Sequence, residues 1–182
     1  EHQDKNPHSL SHNDVAVIFE DHLGTLWVGT YGGGLNKLDR ISEIFIHYKH
    51  QAGNPQSISY NEVFCIIEDS RKHLWIGTGS GLNKFDRHTE TFTHYLHQPK
   101  NLNSLSNNEI VSLLEDSRGD LWIGTGGGLN RFDIQTGIFT RYQEKDGLPN
   151  DIIYGVLEDD SGNIWVSTNK GISKFNPATK TF

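Results

Sequence analysis

The sequence predicts an all-β chain that forms a β-propeller of four-stranded antiparallel blades, with four blades in this chain. Three observations carry this prediction. One phrase is repeated four times, the four tryptophans follow one another at intervals of 48, 47 and 43 residues, and no segment has helical periodicity of useful length. Repeats of about 40–50 residues with four short strands each are typical of propeller blades. A β-solenoid is the alternative, but its repeats are usually shorter. The copies are TLWVGTYGGGLNKLD from residue 25, HLWIGTGSGLNKFD from 73, DLWIGTGGGLNRFD from 120 and NIWVSTNKGISKFN from 163.

Alignment on the tryptophans shows further shared positions. An Asp lies six residues before each Trp, a Glu lies directly before that Asp, and a Thr lies three residues after the Trp. Segments 68–95 and 115–142 are identical at 19 of 28 positions, which chance does not explain. The Trp, Asp and Glu columns are Trp27, Trp75, Trp122 and Trp165; Asp21, Asp69, Asp116 and Asp159; and Glu20, Glu68, Glu115 and Glu158.

The first strand of each copy is an apolar run, which reads VAVIF, VFCII, IVSLL or IIYGVL. Such a run suits a strand that is buried on both sides. Its middle residue is fairly small in every copy, as we expect where blades crowd toward the axis of a propeller. These middle residues are Val17, Cys65, Ser112 and Gly155.

The remaining strands follow in order. LWIGT and its variants predict the second strand, and a Gly-rich turn, in which Gly tolerates positive φ, leads to a third strand such as GLNKFD. The fourth strand, as in TFTHY, alternates apolar and polar residues, as an outer strand with one wet side should. We therefore expect one propeller segment over 1–182, with blades at approximately 9–48, 57–95, 104–142 and 148–182.

Composition excludes several function classes. The chain has 182 residues, 16 basic and 23 acidic side chains and a net charge of −7, which disfavours nucleic-acid binding because that needs basic surface. Its single cysteine, Cys65, cannot form an internal disulfide. No apolar run is long enough to span a membrane, so we expect no membrane contact by this segment. The first residues, EHQDKNPHSL, are too polar for a signal peptide, so the protein is either cytoplasmic or cut from a longer chain.

Repetition also decides how several suggestive residues are interpreted. A catalytic carboxylate pair would occur once, so the four Glu-Asp pairs are predicted to cap turns, and the four Trp to form inter-blade core. A strand rather than a helix follows each Gly-rich turn, so no phosphate cradle is predicted. His47 and His94 are expected on solvated outer strands, and Cys65 in the core. We predict no catalytic residue, no metal ligand and no cofactor.

The pattern N-x-V-x-x-I-x-E-D-x-x-G-x-L-W-I-G-T-x-x-G-L-x-x-F-D stands at 108–133 and more loosely at 13–39, 61–86 and 151–176. It resembles the two-component regulator propeller repeat, and the resemblance covers essentially the whole chain. It implies the extracytoplasmic, periplasmic sensor of a hybrid histidine kinase or related receptor, which often recognises glycan fragments. Such proteins typically carry seven blades per propeller, then a small β-sandwich, a membrane helix and signalling domains; the sequence contains none of these later parts.

The number of blades in a closed ring stays open. The first residue aligns just after Tyr48 and Phe182 aligns with a recurring Phe, so the chain spans close to four repeats. A four-bladed ring, two chains that close an eight-bladed ring, and an open sector all fit. Because an open sector would expose apolar blade faces that favour association, we expect self-association through these faces as a homodimer or a higher ring.

Functional residues are expected where the copies differ on one face. In a propeller, the loop before the innermost strand and the turn between the second and third strands share a face around the axial channel, and small ligands prefer such concave mouths. Asn13, Asn61 and Asn108 recur there and are expected to be structural caps. The variable residues form the predicted ligand-binding set: His12, Tyr31, Tyr60, Asn107, Asn150 and Lys170.

Three functions remain open at this point. The first is a non-catalytic sensor module that binds a small polar ligand or an oligosaccharide, which an aromatic and amide set suits. The second is a structural unit, a natural or engineered propeller fragment that assembles without a specific ligand. The third is a lyase-type propeller enzyme, for which the sequence offers no constellation of singly placed His, Glu and metal ligands.

Overall fold

The computed structural model describes residues 1–182 and contains fifteen β-strands and one 3₁₀ turn at Glu144–Asp146. None of its segments is a helix with the length and apolar character needed to cross a bilayer. Blade 1 comprises β1 (Val15–Glu20), β2 (Leu26–Thr30), β3 (Gly34–Asp39) and β4 (Ile44–Tyr48); blade 2 comprises β5 (Val63–Glu68), β6 (Leu74–Thr78), β7 (Gly81–Asp86) and β8 (Thr91–Tyr95); blade 3 comprises β9 (Ile110–Glu115), β10 (Leu121–Thr125), β11 (Gly128–Asp133) and β12 (Ile138–Tyr142); blade 4 comprises β13 (Ile153–Glu158), β14 (Ile164–Thr168) and β15 (Gly171–Phe175).

Each blade is a separate antiparallel sheet in which the strands pair in chain order. This confirms the all-β prediction and the four antiparallel sheets. Blade 4 departs from the prediction of four strands, because its sheet has only three. Only Thr181 and Phe182 correspond to an outer strand there, and Thr181 forms no more than an isolated bridge with Asn176. Two residues are too few for a strand ladder.

The chain divides into two compact units, Glu1–His94 and Tyr95–Phe182, which are described separately. In the first unit, blade 1 packs face to face on blade 2. Trp27 is buried at the junction, with its ring centroid 5.2 Å from that of Phe85 in an edge-to-face arrangement. Val63 and Ile66 of β5 belong to the same apolar cluster. The predicted role of the tryptophan as inter-blade core is confirmed here.

The second unit repeats this packing between blades 3 and 4. Trp122 is fully buried, and its ring centroid lies 5.6 Å from that of Phe175 in blade 4. Gly124 marks a point of close approach, since a Cβ built there would lie 2.7 Å from Cγ2 of Ile153. The Ser112 hydroxyl accepts a hydrogen bond from the backbone N–H of Val156 at 3.1 Å. Small residues on the inner strands therefore allow adjacent blades to touch.

An aspartate organises the turn between the first two strands of every blade. In blade 3, Oδ1 of Asp116 accepts hydrogen bonds from the backbone N–H groups of Arg118 and Asp120 at 3.0 and 2.9 Å. Oδ2 accepts a third bond at 2.9 Å from Nε1 of Trp122. The equivalent bonds to the indole recur at Asp21, Asp69 and Asp159. One carboxylate thus closes the turn and fixes the core tryptophan.

The loop before the innermost strand is a second repeated device in blades 1 to 3, where a histidine and an asparagine hold the loop together. In blade 2, the ring Nδ1–H of His50 donates to the carbonyl of Ile58 at 3.0 Å, and Oδ1 of Asn61 accepts the backbone N–H of His50 at 2.7 Å. The same bonds recur from His2 and His97, with Asn13 and Asn108 as acceptors. The expectation that these asparagines cap the loop is confirmed.

The outer-strand histidines have a structural role that differs from the prediction. His47 and His94 were expected to be solvated, but both are half-buried, and each Nε2–H donates to a serine carbonyl in the loop before its own blade, at 2.7 and 2.6 Å. Arg141 makes the equivalent bond in blade 3, with Nε 2.7 Å from the carbonyl of Ser104. The fourth strand therefore anchors the loop that precedes its own blade, through a bond from its side chain to a loop carbonyl.

Candidate functional site

In each of the first three blades, the loop before the innermost strand lies against the turn between the second and third strands. The backbone N–H of Tyr31 donates to the carbonyl of Asp14 at 2.9 Å, that of Gly79 to Glu62 at 3.0 Å, and that of Gly126 to Glu109 at 3.2 Å. We call this end of a blade its loop face. The variable residues of the predicted site lie here, and each unit is considered by itself.

An aromatic cluster, defined as Tyr31, Tyr60, Glu62 and Phe64, lies on the loop face of the first unit. Tyr31 is 52% exposed and Tyr60 is 43% exposed. The backbone of Tyr31 forms an antiparallel bridge with Glu62, and its ring centroid lies 5.6 Å from that of Phe64. The structure thus brings both tyrosines close to Glu62, Tyr31 through the backbone bridge and Tyr60 through their shared neighbour Gly79.

Gly79 packs directly against this cluster, next to Glu62 and Tyr60. A Cβ at this position would lie 3.0 Å from Oε2 of Glu62 and 3.2 Å from Cδ1 of Tyr60. A side chain would therefore press on both residues, whereas glycine leaves them in place. Exposed aromatic rings beside an acceptor can stack on an apolar ligand face while the carboxylate accepts hydrogen bonds from hydroxyl groups.

His12 lies apart from the aromatic cluster, against the turn of its own blade. Its Nδ1 accepts the backbone N–H of Asp14 at 3.1 Å. A Cβ built at Gly32 would lie 3.9 Å from its Nε2, so the ring packs beside this glycine. The side chain is partly exposed, and its Nε2 forms no hydrogen bond within the protein. His12 can therefore offer one ring nitrogen to a ligand.

A polar cluster, defined as Glu144, Asn150 and Lys170, lies on the loop face of the second unit. Oε1 of Glu144 accepts a hydrogen bond from Nδ2 of Asn150 at 2.8 Å and lies 3.7 Å from Nζ of Lys170. The structure therefore brings two predicted residues together through a third that the prediction omitted. Because all three side chains are at least partly exposed, they present both donors and an acceptor to solvent.

Asn107 lies in the same unit but outside the hydrogen bonds of the polar cluster. Its Oδ1 accepts the backbone N–H of Glu109 at 2.8 Å, and its Cβ would be 2.9 Å from a Cβ built at Gly127. Nε2 of Gln143, which precedes Glu144 in the chain, donates to the carbonyl of Gly127 at 3.1 Å. Asn107 is thus held against the turn of blade 3 with its Nδ2 still able to donate.

The prediction missed three acidic residues on the loop faces: Glu62, Glu109 and Glu144. Two of them lie in a column thirteen residues before the tryptophans, which reads Asp14, Glu62, Glu109 and Ile152. That column was a usable signal, because it is acidic in three copies. Glu144 stands where the other copies have a histidine, such as His50, and its backbone N–H donates to Oδ1 of Asp151 as that histidine's does to Asn61. The replacement of a repeated histidine by an acidic residue was therefore also a usable signal.

The repeated carboxylates are occupied by structural bonds, as predicted. Burial alone would raise the pKa of Asp69, but hydrogen bonds from the Trp75 indole and the backbone outweigh it, so the pKa lies below its ordinary value of 3.8. The indole bond from Trp165, followed by backbone and side-chain bonds from Asn163, lowers the pKa of Asp159 to about 2. These groups are charged acceptors at neutral pH and are not poised for proton transfer. No group of three or more His, Cys, Asp or Glu side chains is arranged to hold a metal ion.

The family of this chain follows from a comparison with family models. The model of the two component regulator propeller matches four times, at residues 9–32, 57–80, 104–127 and 147–170, which together make up more than half of the chain. The chain belongs to the two component regulator propeller family. Each match covers the loop before an innermost strand, that strand, the Asp turn and the second strand. The repeat therefore corresponds to the part of a blade that builds the loop face and the indole-aspartate bond.

Solved structures that are similar to this chain agree with the assignment. The extracellular domain of a "putative one component system" from B. thetaiotaomicron is 31% identical to this chain, with a TM-score of 0.80 over 92% of this chain and 24% of that one. A second extracellular domain, of a "putative hybrid two component system" from B. thetaiotaomicron, is 28% identical, with a TM-score of 0.72 over 94% of this chain and 30% of that one. This chain thus spans about a quarter to a third of these relatives, and its β-propeller architecture is confirmed.

More distant similarity concerns the fold alone. Virginiamycin B lyase from Staphylococcus aureus matches 93% of this chain and 55% of its own length with a TM-score of 0.67, but the identity is only 13%. No curated protein matches the chain by sequence. The homology therefore connects this propeller with extracellular domains of two-component systems, whereas its relation to the lyase is one of shared architecture.

Proposed function

We propose that this chain is part of the extracytoplasmic, non-catalytic sensor propeller of a two-component-type receptor, and that it recognises a small polar ligand such as an oligosaccharide. The observation that carries the proposal is the homology to extracellular domains of two-component systems. Its repeated polar residues are used in the fold, so recognition falls to the variable residues of the loop faces.

The aromatic cluster supports a sugar-like ligand. A pyranose ring has an apolar face that stacks on aromatic side chains and hydroxyl groups that hydrogen-bond to carboxylates and amides. Tyr31 and Tyr60 supply exposed rings, and Glu62 supplies the acceptor. The polar cluster of the second unit offers Asn150 and Lys170 as donors. Neither cluster contains a nucleophile paired with a base, which favours binding over catalysis.

A binding screen with matched variants tests the proposal. The wild-type chain is titrated with a panel of short neutral and acidic oligosaccharides by thermal shift and then by calorimetry. For the oligosaccharides that bind, the variants Tyr31→Ala and Tyr60→Ala are each expected to weaken binding at least tenfold, equivalent to about 1.4 kcal/mol. Leu23→Ala is the control, because Leu23 is more exposed than either tyrosine and lies away from the cluster, in the Asp turn of blade 1.

The possible results separate the candidate functions. Weaker binding by the tyrosine variants with unchanged binding by the Leu23 variant supports a sensor with an aromatic subsite. Binding that survives both tyrosine substitutions refutes the aromatic cluster as the site. If no oligosaccharide binds, the glycan proposal fails and the structural alternative, a propeller fragment without a specific ligand, is favoured. Conversion of a bound oligosaccharide would indicate the enzyme alternative.

A further inference from the structure

Two blade faces lack the neighbour that covers their equivalents. Inside the units, the face of blade 2 that meets blade 1 and the face of blade 3 that meets blade 4 are both buried. The surface of blade 1 that corresponds to the buried face of blade 2 is uncovered, and we call it the leading face. The surface of blade 4 that corresponds to the buried face of blade 3 is also uncovered, and we call it the trailing face. The leading face comprises Val15, Ile18, Leu26 and Leu38; the trailing face comprises Tyr154, Leu157, Trp165 and Ile172.

The trailing face has the composition of a covered junction but is open. Ile172 is 71% exposed, whereas its equivalent in blade 3, Leu129, is fully buried. Trp165 is only partly buried, whereas Trp122 is buried completely against Phe175. Leu157, Trp165 and Ile172 line a mostly apolar groove of ≈ 390 Å³. A groove of this kind on an exposed sheet face favours association.

The leading face is the matching half. Ile18 is 64% exposed, while its equivalent in blade 2, Ile66, is 4% exposed because blade 1 covers it. Leu38 occupies the position of Phe85, which packs edge to face on the tryptophan of the preceding blade. The leading face therefore has apolar side chains at the positions that, in blade 2, contact the apolar side chains of the preceding blade.

Charged groups at the junction of blades 1 and 2 show how two blades recognise each other. Nζ of Lys37 lies 3.1 Å from Oε1 of Glu90. Nη1 of Arg87 lies 2.6 Å from Oδ2 of Asp21 in the preceding blade. Oε2 of Glu68 in turn accepts the backbone N–H of the residue after that Asp, at 2.9 Å. Three polar contacts thus accompany the apolar one.

The two open faces carry the groups for the same three polar contacts, with one partner of each contact on the trailing face and the other on the leading face. The trailing face has Lys174, which lies over the Trp165 ring at 5.8 Å as Lys37 lies over Trp27, and which has no carboxylate partner. The leading face has Glu43 at the position of Glu90. Likewise Arg40 and Glu20 of blade 1 form an ion pair at 2.6 Å and correspond to Arg87 and Glu68 of blade 2. Their partners across the junction would be Asp159 and the backbone N–H of the residue after it.

We propose that a second copy of this chain docks head to tail, with the trailing face of blade 4 on the leading face of blade 1, and repeats the junction of blades 1 and 2. Its contacts pair Lys174 with Glu43 and Asp159 with Arg40, while Trp165 packs on Leu38. The contact is heterologous, so it closes into a ring or extends, according to the rotation between copies. It depends on neither the oligosaccharide ligand nor the loop faces.

One residue sets this junction apart from those inside the units. Gly29 and Gly124 lie where the next blade approaches, and a Cβ at Gly29 would be 2.5 Å from Cγ1 of Val63. Ser167 occupies the equivalent position in blade 4 and faces Val15 of the second copy. Its Cβ requires Val15 to turn aside or the copies to sit slightly farther apart. The intermolecular contact is therefore looser than the contacts inside the units, and Ser167→Gly should tighten it.

Sedimentation and light scattering of the whole chain test the proposal. The wild-type chain is expected to associate as its concentration rises through the micromolar range, and Ser167→Gly to associate at lower concentration. Ile18→Asp and Ile172→Asp should each be monomeric, because each places a charge at the centre of one face. Both residues are already exposed, so circular dichroism should show unchanged folding. Leu102→Asp, on an exposed loop residue outside both faces, is the control and should associate as wild type.

Mixing the two monomeric variants decides the geometry. Ile18→Asp keeps an intact trailing face and Ile172→Asp keeps an intact leading face, so a mixture should form a one-to-one dimer that cannot extend. A Glu43→Lys variant should associate at least tenfold more weakly than wild type, and adding Lys174→Glu in the same chain should restore association. A monomeric wild type, association that survives both Asp substitutions, or a mixture that stays monomeric would each overturn the proposal.

Discussion

The Asp116 turn provides the sharpest test of the structural account of the repeat. Asp116 is buried, and its two oxygens accept four hydrogen bonds: two from backbone N–H groups, one from Nε1 of Trp122 and a longer one, at 3.4 Å, from Nη2 of Arg118. In Asp116→Asn one oxygen becomes an NH₂ group, which cannot accept. Either the indole or the backbone pair then loses its acceptor and remains buried. An unsatisfied buried donor costs about 1–3 kcal/mol, and more when the lost acceptor was charged, so the free energy of unfolding should fall by about 2–4 kcal/mol.

The measurement is urea denaturation followed by circular dichroism, with Asp133→Asn as the matched control. Asp133 lies in the same blade and also accepts the N–H groups of Gln135 and Thr136 and a side-chain bond from Thr136, but unlike Asp116 it is not buried. Water can replace a lost partner there, so the control should lower the denaturation midpoint much less than Asp116→Asn does. A double-mutant cycle with Trp122→Phe isolates the indole bond, because this substitution removes the donor.

The cycle also supplies the result that would refute the reasoning. If the indole and the carboxylate are coupled, Asp116→Asn should destabilise the Trp122→Phe background by at least about 1 kcal/mol less than wild type. Strictly additive effects would show that the bond contributes nothing beyond its two ends. A wild-type midpoint for Asp116→Asn would show that the carboxylate does not organise the turn.

Three further predictions concern acid stability, a buried amide and the close approach of two blades. Asp69 and Asp159 have folded pKa values below the ordinary 3.8, near 2 for Asp159, so their contribution to stability is present above about pH 4 and lost as the pH falls toward 2. The denaturation midpoint, followed by circular dichroism as the pH is lowered, should decline in that window, and a constant midpoint would contradict this prediction. Asn130→Ala removes the acceptor of a partly buried loop N–H and a donor to a loop serine, and should lower the free energy of unfolding by about 1–3 kcal/mol in urea, whereas a change under about 0.5 kcal/mol would refute this role. Gly124→Ala places a Cβ 2.7 Å from the next blade and should cost about 1–3 kcal/mol in the same assay, with Gly155→Ala, whose Cβ meets only a serine hydroxyl at 3.2 Å, as the milder control.

The fold was predictable from the sequence because every blade solves the same packing problem with the same residues. The Trp and Asp columns are spaced six residues apart, and the structure joins them by a hydrogen bond in all four blades. Repetition multiplies a weak local signal by four. The role of His47 was missed for a related reason, since a polar residue on an outer strand looks solvated until the preceding loop is placed on it.

The candidate site was less predictable, because its members do not repeat. Alignment identified Tyr31 and Tyr60 as variable residues on one face, but it could not show that Tyr31 pairs with Glu62 through a backbone bridge or that Tyr60 and Glu62 share the neighbour Gly79. Glu144 replaces a histidine that the other copies share, but the alignment could not show that its side chain joins Asn150 to Lys170. The residues of the candidate site were chosen because they differ between the copies. Such differences do not show which of these residues contact one another in the folded chain.

The exceptions within the repeat follow the same physical logic as its rules. In blades 1 to 3 a buried Asn on the third strand accepts the backbone N–H of a loop serine, as Asn130 does from Ser106 at 2.9 Å. Blade 4 has Ser173 at the Asn position and Pro149 at the serine position. Proline has no backbone N–H, so the donor that the asparagine serves is absent and a shorter side chain suffices. Ser173 and Pro149 therefore belong to one change, in which a hydrogen bond loses both its donor and its acceptor. For this reason blade 4 keeps its fold although its sequence differs from the other copies at both positions.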